Sequence, residues 1–320
     1  MPSGLGDDCR LFENPLRGAI LVNGFYKFLE NIIPATVHIH TRIAPEHPSA
    51  TILGTERMGS GIIIDDIGLI LTVGYVVLGA QSIVVNLPQG DEVAARLVDI
   101  DFDSGLAVLQ ADVPHVAGLT LGDSSDLSRG QMGLVIASSG PKERRVSEGF
   151  ITALEAFDAY WEYMLERAIL TTATNLGLGG GVFVTLDGVM RGVVSLNLGD
   201  LRDATMIIPL EYFHQIKDEL LLHGQVASRV PRAWLGLSPM PTPRGLVVFG
   251  ITAHGPAARA GVQPGDIIVG LNGHEILNRP ELYRQLWQHQ AGADIVLDIL
   301  RDGRAHTITV RSQDRGAFFR

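Results

Sequence analysis

The sequence predicts a mainly β chain with more than one folded unit, and three observations carry that prediction. At 320 residues the chain exceeds a typical single domain, so two units with adequate cores are expected. Two uncharged stretches, Ile67 to Gly90 and Ala168 to Leu186, approach the length of a membrane span. Glycines at turn-like spacing break both, and Asn86 and Pro88 interrupt the first, so they read as core strands, with no integral membrane segment. Third are hairpin signals. Asp187-Gly188 separates a strand-like run (Val182 to Leu186) from a returning one that ends at Asn197, and Asp302-Gly303 repeats the device near the C-terminus.

Composition narrows the function classes. A hydrophobic content of 46% with 19% charged residues is ordinary for a globular protein. The net charge of −10, with no dense Lys/Arg run, argues against a nucleic-acid surface. One cysteine, Cys9, excludes an internal disulfide framework and a multi-cysteine metal site. Asp7, Asp8, Arg10 and Glu13 precede any apolar run, so no export signal is expected. Residence is then cytoplasmic for a full-length chain, or periplasmic if a leader has been removed.

In chain order, residues 1 to about 16 read as a loose arm, and Arg17 to Ile33 has near-helical apolar spacing weakened by Gly24. Ile33-Pro34-Ala35-Thr36-Val37-His38-Ile39-His40 reads as a strand. Its two histidines share one face at a spacing that suits a metal, but two exposed histidines with only His47 near carry no metal assignment. Met58 to Val77 reads as strand, turn, strand and short helix. Asn175-Leu176-Gly177-Leu178-Gly179-Gly180-Gly181 is a glycine-rich turn able to aim several N–H groups at one point, as anion nests and oxyanion holes do. No Lys-Ser/Thr comes after it, so it is not a phosphate loop. A helix is expected from Glu211 to Leu222, ending near Gly224, then a polar linker from His223 to Arg232.

With its flanks, the glycine-rich turn resembles the nucleophile loop of the HtrA/Deg family of trypsin-like serine proteases, approximately Asn-Pro-Gly-Asn-Ser-Gly-Gly-Pro-Leu. The nucleophile's position holds Gly179. The segment Met58 to Val77 resembles the family's Gly-Ser-Gly-hydrophobic-Asp-Gly-x-Ile-Leu-Thr-Asn-x-His-Val-Val, with Tyr75 where the general-base histidine stands. A phenol of pKa about 10 is protonated near neutrality and is no substitute base. Its ring is expected to fill the imidazole's place, with the hydroxyl reaching solvent or a carbonyl. Asp101 to Leu109 resembles the family's Asp-x-x-x-Asp-Leu-Ala-Val-Leu, with Gly105 at the orienting aspartate. Asp103 lies two residues away, roughly 6–7 Å along an extended chain, too far to stand in. Leu121 to Ser125 and Val146 to Ala153 match scaffold segments.

Beyond the linker the chain resembles a PDZ domain. Ala233-Trp234-Leu235-Gly236-Leu237 is similar to the family's Tyr-Leu-Gly-Ile, and Gly255 to Ile268 carries its long Gly-Pro-Ala-Ala…Ala-Gly-Val-x-x-Gly-Asp signature. A strand from Gly245 to Thr252 and a helix from Arg279 to His289 agree. The resemblance implies a trypsin-like double β-barrel of two six-stranded barrels (32–222), then an α+β PDZ domain (233–313). An N-terminal arm and helix (1–31), the linker (223–232) and a tail (314–320) complete the chain.

PDZ domains add an extended C-terminal peptide to a sheet edge while loop amides hold its carboxylate. By position Trp234, Leu235, Gly236 and Leu237 form that loop, and Leu282 and Leu286, one helical turn apart, line the groove; each apolar one is otherwise core. The expectation is a pseudoprotease without cofactor or metal. It would bind protein C-termini, extended peptides or unfolded protein as adaptor, scaffold or chaperone-like protein, and as a homo-oligomer, a trimer by the resemblance, with the N-terminal segment a candidate subunit contact. The barrel cleft, with the vestigial oxyanion loop Gly177, Leu178 and Gly179, is expected to bind peptide weakly or not at all. Alternatives are an endopeptidase using an unconventional nucleophile (Ser60, Ser138, Ser139 or Ser195) and a non-catalytic subunit of an active relative.

Overall fold

The computed structural model describes residues 29–113, 118–199, 203–223, 226 and 228–319. The arm, Cys9 and residues 17–28 of the expected helix lie outside them. Residues 29–35 are helical (α1), with Ile32 buried against the first barrel's core.

Six antiparallel strands close the first barrel in the order β1-β2-β3-β6-β5-β4. They are β1 (Thr36–Ile43), β2 (Glu56–Ile63), β3 (Leu69–Val73), β4 (Ala80–Asn86), β5 (Glu92–Asp101) and β6 (Leu106–Ala111). Helix α2 (Ala50–Leu53) lies between β1 and β2, and α3 (Gly74–Val77) comes after β3. The uncharged first stretch becomes β3, α3 and β4; all five residues of β3 are buried. Gly61 has no alternative there, because a Cβ would come within 2.7 Å of both Ile39 Cδ1 and Ile70 Cγ2.

A second barrel repeats the plan with β7 (Met132–Ser138), β8 (Arg144–Ala159), β9 (Tyr163–Thr171), β10 (Val182–Thr185), β11 (Met190–Asn197) and β12 (Thr205–Pro209), closed as β10-β11-β12-β9-β8-β7. The expected hairpin between β10 and β11 turns at Gly188, whose φ is +83°, with Thr185 Oγ1 donating to Asp187 Oδ1 at 2.7 Å. One continuous cluster of buried side chains runs through both barrels.

The helix expected over Glu211 to Leu222 is instead two, α4 (Glu211–His214) and α5 (Lys217–His223). A tight turn, Ile216 N to Phe213 O at 3.0 Å, separates them. Phe213, Ile216 and Leu220 are all buried in the barrel core, and the break lets each reach it.

The C-terminal domain is α+β. Its strands are β13 (Leu237–Thr242), β14 (Gly245–Ile251), β15 (Ile267–Leu271), β16 (His274–Glu275), β17 (Asp294–Arg301) and β18 (Arg304–Arg311); its helices are α6 (Pro256–Ala260) and α7 (Arg279–Leu286). The sheet runs β13-β14-β15-β17-β18, which leaves β13 at an edge. Helix α7 starts where Asn278 Oδ1 accepts the Glu281 N–H at 2.9 Å, and ends three residues short of the expected His289. The residues expected to form a tail fold into α8 (Arg315–Phe319). Phe319 stacks with Phe102 of the first barrel, and its carbonyl lies 2.9 Å from His47 Nε2. Trp234 of the C-terminal domain packs on Phe318 and Phe319. The tail therefore forms part of the joint between barrel and C-terminal domain.

Candidate functional site

The cleft between the barrels is built from the end of β3, the turn before β6 and the loop before β10. Gly74 N donates to Gly105 O at 2.7 Å, which sets position 105 beside Tyr75. Tyr75 Oη crosses to the second barrel and donates to Ser195 O at 2.8 Å. Burial pushes the phenol up to about 12, so it stays a neutral donor. A Cβ on Gly179 would stand 1.8 Å from Tyr75 Oη and 3.0 Å from Ser195 O. The tyrosine hydroxyl thus occupies the space a side chain at 179 needs. Gly105 has φ +78°, and a Cβ there would lie 3.2 Å from Tyr163 Cε2. Tyr163 Oη donates to Ser104 O at 2.7 Å. Positions 75, 105 and 179 meet in one cleft, and tyrosines fill the room around the two glycines. Asp103 is committed elsewhere, to Arg229 at 3.0 Å and to Arg232.

The glycine-rich loop is tied down from inside. Gly177 N donates to Asn175 Oδ1 at 3.1 Å and Leu178 N to Ser138 O at 2.8 Å. Ser60 N and Oγ donate to the carbonyls of Gly179 and Leu178 at 2.7 and 2.9 Å. A hole for an oxyanion needs free donors converging on an empty point. Here the amides of Gly177 and Leu178 already have protein acceptors.

Two of the serines weighed as alternative nucleophiles are fully buried. Ser60 makes the loop bonds just described. Ser138 Oγ lies 2.9 Å from His38 Nδ1, a serine–histidine pair across 100 residues of chain. The hydroxyl proton goes to Gly140 O at 2.8 Å, so the imidazole is the donor to Ser138 and does not act as its base. His38, expected to be exposed, is 2% exposed, because β1 turns that face against β7 of the second barrel. Among the described residues no group of three metal-ligating side chains forms. Exposed Ser139 bonds Glu143 at 3.1 Å, and the Ser195 carbonyl holds Tyr75.

Burial, with the charges of Arg144 and His40 adding to it, pulls His38 down to about 4 from 6.5. The unfolded chain then binds more protons than the folded one between those values. Stability contributed by neutral His38 is complete above pH 6.5 and falls by about 2–3 kcal/mol as pH drops to 4. His38→Gln keeps a donor for Ser138 and removes the titration. Chemical unfolding at pH 7 and pH 4.5 is expected to show the wild type losing about 2 kcal/mol more than this variant.

A second constellation lies at the C-terminal domain. Leu235 N and Leu237 N donate to one carboxylate, that of Glu162, at 3.1 Å (Oε2) and 2.6 Å (Oε1). Gly236 N–H also points to it. Gly236 has φ +78°, the left-handed turn that lets successive amides converge. Trp234, Leu235 and Leu237 are themselves buried, their side chains packed while their backbone forms the cradle. Leu282 and Leu286, expected to line the groove, are each 1% exposed and belong to the domain's core. The helix face turned to the barrel carries Arg279 and Tyr283 instead, one turn apart, bonded to Asp158 and to Ala159 O. Glu162, Tyr283 and Met164, which enters the C-terminal domain's core from β9, were missed by sequence reasoning. No local pattern marks them, since Glu162 sits 73 residues from Leu235.

Two family models match parts of the chain. A trypsin-like peptidase domain matches residues 59–193 and a PDZ domain residues 233–311. A probable periplasmic serine endoprotease, DegP-like, of Halomonas elongata is 32% identical over 290 residues, covering 84% of this chain and 60% of that protein. Its counterpart in Pseudomonas putida is 28% identical, covering 88% and 62%. The chain thus spans about 60% of the length of these relatives. Among solved structures, the HtrA-type protease AlgW with a decapeptide superposes with a TM-score of 0.57 at 26% identity, covering 91% of this chain and 98% of that one. The serine endoprotease from Yersinia pestis gives 0.56 at 25% identity, covering 91% and 97%.

Proposed function

We propose that this chain, a trypsin-like peptidase domain followed by a PDZ domain and similar to HtrA-type proteases, is an HtrA-like peptide-binding pseudoprotease. The observation that carries the loss of hydrolysis is Tyr75 Oη lying 1.8 Å from where a Cβ at 179 would stand, beneath a carbonyl it already holds. Position 179 offers no nucleophile, Tyr75 is a donor and not a base, and two loop amides are engaged. Ser195 O, on a strand segment that would pair with a substrate, is also occupied. Binding therefore belongs to the PDZ domain, where the convergent amides of Leu235 and Leu237 suit a terminal carboxylate and the β13 edge suits an added strand. The similar HtrA-type protease AlgW is solved with a decapeptide, which supports a peptide as the ligand.

The test uses a fluorophosphonate probe, unfolded casein and a pool of fluorescein-labelled peptides with free C-termini. No covalent label, no casein cleavage and micromolar peptide binding that disappears on C-terminal amidation are expected. Label mapped by mass spectrometry to a serine of this chain would refute the pseudoprotease reading. Regulation of an active relative, as a non-catalytic subunit, is compatible with the same chemistry.

A further inference from the structure

The carboxylate in the PDZ cradle belongs to the chain itself. Glu162 lies at the tip of the β8–β9 hairpin of the second barrel, and both its oxygens are taken by cradle amides. The residues flanking it run beside α7. Asp158 pairs with Arg279 at 2.6 Å, Ala159 O accepts from Tyr283 Oη at 2.6 Å, and Glu166 pairs with Arg284 at 2.8 Å. Met164 completes the anchor in the domain's core. A segment along the helix with its carboxylate in the amide cradle is the pattern of a bound C-terminal peptide, delivered here from the barrel.

Two further features point to a built site. Glu162 is 4% exposed and holds φ +52°, a left-handed backbone that strains a residue with a side chain. Half-buried Arg315 of α8 donates to Glu162 O at 3.1 Å and places its positive charge beside the carboxylate. Desolvation raises the pKa of Glu162, and the cradle amides and Arg315 oppose that shift.

We propose that Glu162 is the resident occupant of the PDZ carboxylate cradle, so that a protein C-terminus binds only by displacing it and thereby releases the β8–β9 hairpin from the PDZ domain. This rests on the reading of the PDZ domain as a C-terminus binder. The two events form one equilibrium. Apparent affinity is the intrinsic affinity scaled by the fraction of molecules whose cradle is open, and a bound C-terminus loosens barrel from PDZ by the same free energy. The competition sets the ligand class: a carboxylate-ended peptide able to replace two amide-bound oxygens.

The experiment compares full-length wild type with Glu162→Gly, which removes the carboxylate where the backbone φ already suits glycine, and with Glu162→Gln. Amide hydrogen exchange read by NMR at Leu235 and Leu237 needs no ligand. Protection is expected in wild type, with at least a tenfold faster exchange in Glu162→Gly and an intermediate rate in Glu162→Gln. Equal protection in all three, in variants that keep the wild-type spectrum elsewhere, overturns the proposal. Anisotropy with fluorescein-labelled heptapeptides ending in a free-carboxylate apolar residue is expected to give at least tenfold tighter binding to Glu162→Gly. Equal carboxylate-dependent affinity for wild type and variant also overturns resident occupancy, while leaving the PDZ reading intact. Faster exchange in the variant with no binding to any chain would instead overturn the C-terminus reading and the displacement step that rests on it.

Discussion

Gly179→Ser alone is expected to yield a destabilised chain and no protease. The new Cβ would stand 1.8 Å from Tyr75 Oη, so the ring must swing out and abandon its 2.8 Å bond to Ser195 O. Overpacking of this kind costs about 1–3 kcal/mol, and the orphaned carbonyl adds about 1 kcal/mol. At roughly 2–4 °C per kcal/mol for a domain of this size, the melting midpoint should fall by several degrees. Adding Tyr75→His relieves the clash at 179. Gly105→Asp then meets Tyr163 Cε2 at 3.2 Å with a backbone at φ +78°. The triple variant also keeps Gly177 N bonded to Asn175 Oδ1. Loss of one oxyanion donor costs about 10²–10³ in turnover, so casein hydrolysis at least about a hundredfold below an intact trypsin-like protease is expected. Full activity would mean that the loop re-forms its hole without resistance, and would remove the geometric basis of the pseudoprotease reading.

Phe319→Ala should uncouple the PDZ domain. Phe319 packs against Trp234 at 5.6 Å, Phe318 at 4.9 Å and Phe102 at 6.5 Å between ring centroids, and so touches both sides of the joint. Truncating a buried phenylalanine costs about 3 kcal/mol at the lower end of the usual range. That raises the population of the opened joint about a hundredfold. Arg229 and Arg232 in the linker, now paired with Asp101 and Asp103, become substrates for trypsin in the opened form. Limited trypsinolysis should release the C-terminal domain up to about a hundredfold faster, and calorimetry should split one transition into two. An unchanged cleavage rate would mean that the other interdomain contacts, those of Glu162, Asp158 and Met164, carry the joint without the aromatic cluster.

Local chemistry is what reading the chain in order recovers well. The turns at Asp187-Gly188 and Asp302-Gly303 depend on neighbours a few residues away, so their signals survive in one dimension. Apolar runs such as Leu69 to Val73 name core strands, because a strand buried on both faces has no other composition. Helix phase is legible too, yet phase does not say which neighbour each face meets. Leu282 and Leu286 share a face, and only the packed domain assigns that face to the core and the one bearing Tyr283 to the barrel.

By itself the sequence determined the mainly β class, the division into barrels and PDZ domain, and the side chains at positions 75, 105 and 179. Tertiary structure decided what those positions do to one another. Tyr75 reaches Ser195 O across 120 residues, His38 reaches Ser138 across 100, and Glu162 enters the amide cradle across 73. Hydrogen bonds and clashes act over about 3 Å of space whatever the separation in sequence. Contacts that fill a site from a distant segment therefore leave no local periodicity, and appear only once the barrels and the PDZ domain are packed together.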